Sequence, residues 1–127
     1  MATIRSIMTK DLITVQPTTA LGDAVKLLIE HGITGLPVVD GAGHIAGVLS
    51  EKDLLKAFYE DAKTVDALMT KDPETVGVDS ELVEVFDILM TNSFRRILVH
   101  ENGKLVGLVS RSDLMPVVLE ALLERVR

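Results

Sequence analysis

Gly47-Val48-Leu49-Ser50-Glu51-Lys52-Asp53 and Gly107-Leu108-Val109-Ser110-Arg111-Ser112-Asp113 are two versions of one phrase, 60 positions apart. Each carries an apolar strand-like run into a helix opening, with Ser and Asp three residues apart at the junction. Outward from the phrase, Gly43 and Gly103 precede it and Leu54 and Leu114 follow it at the same spacing. Further upstream, Met8-Thr9-Lys10-Asp11 recurs as Met69-Thr70-Lys71-Asp72, now 61 positions apart. That shift also superposes Thr14-Val15 on Thr75-Val76, Leu21 on Leu82, Leu28 on Leu89 and Val38 on Val99. The change of one falls in a turn. The chain of 127 residues is therefore read as a tandem duplication, with repeats at 1–61 and 62–127, and internal repetition decides architecture more firmly than local propensity does.

Each copy has the same element pattern. Leu21, Ala24, Val25 and Leu28 fall at helical spacing behind a cap at Thr18 or Thr19, and Gly32 is a stop signal, so a helix is predicted over 20–31. The runs 36–39 and 45–49 around Asp40-Gly41-Ala42-Gly43 predict a β-hairpin, and Ser50 opens a second helix. The second copy repeats this with Leu82, Val85, Phe86 and Leu89, the strands 97–99 and 105–109, and a helix from Ser110. With short leading strands at 12–15 and 75–78, each copy reads β-α-β-β-α, an α+β arrangement. A unit of roughly 60 residues buries only about 60% of its unfolded surface, so the copies are expected to pack on each other with pseudo-twofold symmetry and paired clefts. Pro116 predicts a kink or restart in the last helix. Beyond it, Leu119, Leu122, Leu123 and Val126 form an apolar stripe, laid on the first copy or used for dimerisation.

Composition excludes several function classes. With 47% hydrophobic and 25% charged residues the chain can build a core, and with 3% aromatic residues that core must be aliphatic. No cysteine is present, which removes disulfides, thiolate metal sites and a cysteine nucleophile. A net charge of -6 argues against nucleic acid and anionic membrane as partners. The opening residues lack the apolar run of a signal peptide, and no stretch approaches the roughly 20 apolar residues of a membrane span, so a soluble, cytoplasmic protein is expected.

The Ser-x-x-Asp pairs admit two readings. In one they are capping boxes, each stabilising its helix by roughly 0.5 to 2 kcal/mol. In the other, the free amides and positive end of a helix attract phosphate while the carboxylate accepts from both hydroxyls of a ribose. The preceding Gly47 and Gly107 would then leave room for a planar base. One helix start can serve both purposes.

Taken in order, Met-Thr, Thr-Val, Gly-Leu-Pro-Val-Val-Asp at 35–40 and the two Gly-x-x-Ser-x-x-Asp phrases resemble a tandem pair of CBS domains, a Bateman module, over nearly all of both halves. The resemblance implies a non-catalytic regulatory module that needs no cofactor and senses AMP, ADP, ATP or S-adenosylmethionine in clefts between the repeats. It also implies that Asp53 and Asp113 bind ribose and that Ser50 and Ser110 lie near ribose or phosphate. One cleft would join Asp113, Ser110 and Leu108 to Ile13, Ile33 and Thr34; the other would join Asp53, Ser50 and Val48 to Glu74, Phe94 and Arg95. Arg95 and Arg96 match positions that face phosphates, and Lys52 and Arg111 lie in first helical turns. Glu74 replaces the apolar residue seen at Ile13, which ranks the Asp113 cleft first. Leu98 replaces Pro37, a change that touches strand geometry.

Other readings are weaker. Ser50, Asp53 and His44 lack the strained elbow of a serine hydrolase. His31, His44 and His100 lack the paired spacing of a metal site. Met8 and Met69 suit a position against a base or a core gap equally. The alternative to a nucleotide sensor is a homodimerising or protein-docking module without a small ligand, using Leu119, Leu122 and Leu123.

Overall fold

The computed structural model describes residues 2–91 and 96–126. Phe94 and Arg95 lie outside the described residues. Elements follow in the order α1 (Ile4–Ile7), α2 (Leu21–His31), β1 (Gly35–Val39), β2 (Ile45–Ser50), α3 (Glu51–Leu55), β3 (Thr75–Gly77), α4 (Leu82–Thr91), β4 (Arg96–Glu101), β5 (Lys104–Ser110) and α5 (Arg111–Arg125). Short 3-10 turns cover Lys56–Phe58 and Val65–Ala67. The class is α+β, as expected.

The chain forms two compact units whose limits differ from those of the sequence repeat. One comprises Met1–Leu12, Glu74–Asn102 and Val106–Arg127; the other comprises Ile13–Pro73 and Gly103–Leu105. In the first, Ile4 and Met8 from the head of the chain are buried with Val76, Val85, Leu89, Ile97, Val99, Val109 and Leu114. In the second, Val65 and Leu68 are buried with Val15, Leu21, Ala24, Leu28, Leu36, Val38 and Leu49. Ile4 and Val65 are equivalent positions at the 61-residue spacing. The leading segment of each repeat thus completes the core formed by the rest of the other repeat.

In the second unit, β1 and β2 pair antiparallel from Gly35 opposite Ser50 to Val39 opposite Ile45. Asp40 closes the turn, its Oδ1 accepting from the Ala42 and His44 amides at 2.9 Å each. α2 begins at Leu21, because the Thr19 hydroxyl accepts from Gln16 rather than from the helix, leaving Ala20 as an uncapped start. It ends where Gly32 takes φ 61°, a left-handed conformation that costs glycine little.

The leading strands differ between copies for a definable reason. β3 pairs parallel to β4 over Thr75–Gly77, flanked by Leu98 N–H donating to Glu74 O (3.2 Å) and Val78 N–H donating to His100 O (2.8 Å). In the first copy the equivalent donors belong to Pro37 and Pro17, which have no N–H. Only Val15 bridges Val38 there, so the expected strand over 12–15 contracts to a single bridge. The expected restart at Pro116 is also absent, since α5 runs unbroken through it. The proline removes a donor to the Ser112 carbonyl on an exposed part of the helix, where water can replace it. The α5 residues Leu119, Leu122 and Leu123 remain 51–57% exposed. Among the described residues no helix is long and apolar enough to cross a membrane.

Candidate functional site

The junctions β2–α3 and β5–α5 repeat one construction in the two units. Val48 and Thr70 exchange two backbone hydrogen bonds of 2.9 Å, and Thr9 and Leu108 do the same at 2.8 and 3.0 Å. Each pairing holds a Met-Thr segment against the strand that runs into a helix. Gly47 and Gly107 are required by that approach. A Cβ on Gly47 would lie 2.5 Å from the Thr70 carbonyl oxygen and 3.1 Å from Met69 Sδ. A Cβ on Gly107 would overlap Met8 Sδ and come within 2.8 Å of its Cγ. In the direction a side chain would take, Thr70 and Met69 fill the space at Gly47 and Met8 fills it at Gly107.

At α3, Ser50 N–H donates to Asp53 Oδ2 at 3.0 Å and Asp53 N–H donates to Ser50 Oγ at 3.1 Å. The Thr70 hydroxyl reaches the same Oδ2 at 3.5 Å. Asp53 is 9% exposed, and its Oδ1 has no hydrogen bond among the described residues. At α5, Asp113 Oδ2 accepts from Ser110 N–H at 2.8 Å and from the Ser110 hydroxyl at 3.1 Å. The Thr9 hydroxyl donates at 3.2 Å to Oδ1, with Oδ2 at 3.4 Å. Ser110 Oγ also lies 2.9 Å from Ser112 Oγ. The capping reading is thus realised in both copies. It does not exhaust either carboxylate, because each oxygen can accept about two bonds. Thr9 and Thr70 are partners that sequence reasoning quoted but left without a role; their equivalence at the 61-residue spacing was the available signal.

The remaining candidates fall as follows. Val48 and Leu108 are half-buried beside these junctions. Thr34 O accepts from Glu51 N–H at 3.0 Å, which brings the α2–β1 turn to the start of α3 within the second unit. Ile13 and Ile33 are partly buried against that unit's core. Arg96 opens β4 in the first unit, and Lys52 and Arg111 are exposed in the first turns of α3 and α5. Glu74 offers its backbone carbonyl to Leu98 in the β3–β4 ladder. Among the described residues no group of three or more His, Cys, Asp or Glu side chains can hold a metal ion.

Residues 4–60 and 65–120 each match the CBS domain. The chain belongs to the CBS-domain family. The CBS pair is similar to an uncharacterised 17.7 kDa protein of Acidianus ambivalens, 34% identical over 92% of this chain and 73% of that one. It spans only 22% of the inosine-5'-monophosphate dehydrogenases of Methanocaldococcus jannaschii and Korarchaeum cryptofilum. Among solved structures, CBSX2 of Arabidopsis thaliana in complex with AMP superposes with a TM-score of 0.86 at 32% identity, covering 95% of this chain and 98% of that one. The CBS domain pair of protein MJ0100, in complex with 5'-methylthioadenosine and S-adenosyl-L-methionine, superposes with a TM-score of 0.81 at 25% identity and the same coverages.

Proposed function

We propose that this CBS pair is a non-catalytic regulatory module that senses an adenosine compound, with Asp53 and Asp113 holding the ribose. One observation carries the reading: both carboxylates sit at helix openings with spare acceptor capacity on Oδ1, which among the described residues accepts no bond at Asp53 and one, from Thr9, at Asp113. A ribose diol presents two adjacent donors and needs such an acceptor. The ligands of CBSX2 and of the MJ0100 pair share that diol.

In this reading Ser50 and Ser110 serve the ribose or phosphate, and Arg95, Arg96, Arg111 and Lys52 supply positive charge for phosphates. Val48 and Leu108, with Ile13, Ile33, Thr34 and Phe94, supply the apolar and backbone surroundings of the base. The repeats 1–61 and 62–127 act as the two halves of one module in the cytoplasm. Binding favours one preexisting arrangement, and a protein partner reads it.

The testing experiment is thermal unfolding with AMP, ATP and S-adenosylmethionine. A sensor gains about 2.7 kcal/mol at a hundredfold excess of ligand over its dissociation constant. A melting curve indifferent to all three would leave the second reading, a homodimerising or docking module. The exposure of Leu119, Leu122 and Leu123 favours an assembly role for α5, and a sensor can also use that face to form a homodimer.

A further inference from the structure

We infer that Thr9 and Thr70 are positioning residues for sugar recognition, each turning the aspartate of a helix opening so that its carboxylate meets the ribose 2'- and 3'-hydroxyls. The inference rests on the ribose reading above. Its basis is the doubled geometry: the same residue type, at equivalent positions, donates its hydroxyl to the helix-opening aspartate in both units.

An aspartate carboxylate rotates through a broad torsional range about its last bond. At Asp113 the Ser110 N–H and hydroxyl both hold Oδ2, but anchors on one oxygen leave rotation about that contact. The Thr9 hydroxyl, 3.2 Å from Oδ1 and 3.4 Å from Oδ2, supplies the anchor on the other oxygen. Thr9 is itself held by two backbone hydrogen bonds to Leu108, and its β-branched side chain is stiff. Bond strength is raised by the charge of the acceptor. Both threonines are exposed to solvent, so water is available to their hydroxyls, yet both turn to the carboxylate. The bracket is tighter at Asp113 than at Asp53, where Thr70 stands at 3.5 Å and touches one oxygen only.

With one oxygen of Asp113 facing each hydroxyl of the diol, the second hydroxyl meets Oδ2, where the Ser110 hydroxyl now sits. Ser112 Oγ, at 2.9 Å, offers that hydroxyl another partner. Ligand entry therefore turns the Ser110 hydroxyl from Oδ2 toward Ser112 Oγ, with no proton transferred, while Thr9 keeps its bond.

The test is calorimetric titration of the full chain with AMP and with 2'-deoxyadenosine monophosphate, for the parent, Thr9→Val, Thr9→Ser and Thr70→Val. Thr9→Val should weaken AMP about tenfold and leave the deoxy compound nearly unchanged, so that discrimination collapses. Thr9→Ser should restore it, and Thr70→Val should show a smaller effect. Equal weakening of both ligands by Thr9→Val, or no weakening, overturns the inference while the ribose reading stands. A parent protein that does not distinguish the two nucleotides overturns the ribose reading, and this inference with it.

Discussion

Thr9 and Asp113 are 104 positions apart in sequence and share a hydrogen bond of 3.2 Å. The head of the chain reaches the last helix because Ile4 and Met8 belong to the core that Val109 and Leu114 complete. The bond is thus a product of the exchange of leading segments. It places the Met-Thr motif of one repeat at the carboxylate of the other, and the same holds for Thr70 and Asp53.

The two glycines at these junctions should respond differently to alanine. Gly47→Ala drives a Cβ onto a backbone carbonyl, whereas Gly107→Ala meets a side chain. Overpacking costs roughly 1 to 3 kcal/mol; Gly47→Ala should fall at the upper end and Gly107→Ala lower. Met8→Ala should relieve Gly107→Ala in a double-mutant cycle, and Met69→Ala should not relieve Gly47→Ala. Denaturant unfolding of the four single and two double variants measures both cycles.

The proline asymmetry predicts a second difference. Leu98→Pro removes the donor to Glu74 O and should destabilise by about 1 to 3 kcal/mol, since it strands a carbonyl in the ladder. Pro37→Leu should add a slowly exchanging amide at residue 37, read by hydrogen exchange. A neutral Leu98→Pro would contradict the account of the shortened first strand.

Asp40 gives the pH dependence. Its carboxyl is held below the ordinary 3.8, chiefly by the hydrogen bond from the His44 backbone, opposed in part by burial and aided by the Ala42 amide. A folded value below the unfolded one means that ionised Asp40 adds stability at neutral pH, which is lost as pH falls below 3.8 and through the folded value. The parent should therefore exceed Asp40→Asn in stability at pH 7, with the gap closing as pH falls below 3.8. A gap that widens in acid would contradict this sign.

For the assembly role of α5, sedimentation should give the mass of two chains for the parent and of one for Leu119→Glu combined with Leu123→Glu. Both leucines are more than half exposed, so folding of the single chain should survive. A parent that sediments as one chain removes this face from the proposal.

The hairpin, the helix ending at Gly32 and the capping boxes were legible because each is written in local chemistry: a turn with Asp40 and Gly43, a left-handed glycine, a Ser three residues before an Asp. The exchange of leading segments was not. Ile4, Ile7 and Met8 have an apolar pattern that suits either copy's core, and a duplicated sequence does not say which copy covers which. The contraction of the first leading strand was readable from Pro17 and Pro37 taken together, but only once the ladder's donors were known. The role of Gly47 and Gly107 was missed because a glycine signals close approach without naming what approaches.

The most direct test of the central claim is calorimetric titration of AMP into the parent and into Asp53→Ala, Asp113→Ala and the double variant. A hydrogen bond to a charged group contributes roughly 1.5 to 3 kcal/mol, so each single change should weaken its own site about tenfold to a hundredfold, and the double variant should show that weakening at both sites. Undiminished AMP affinity in a folded double variant would contradict the account.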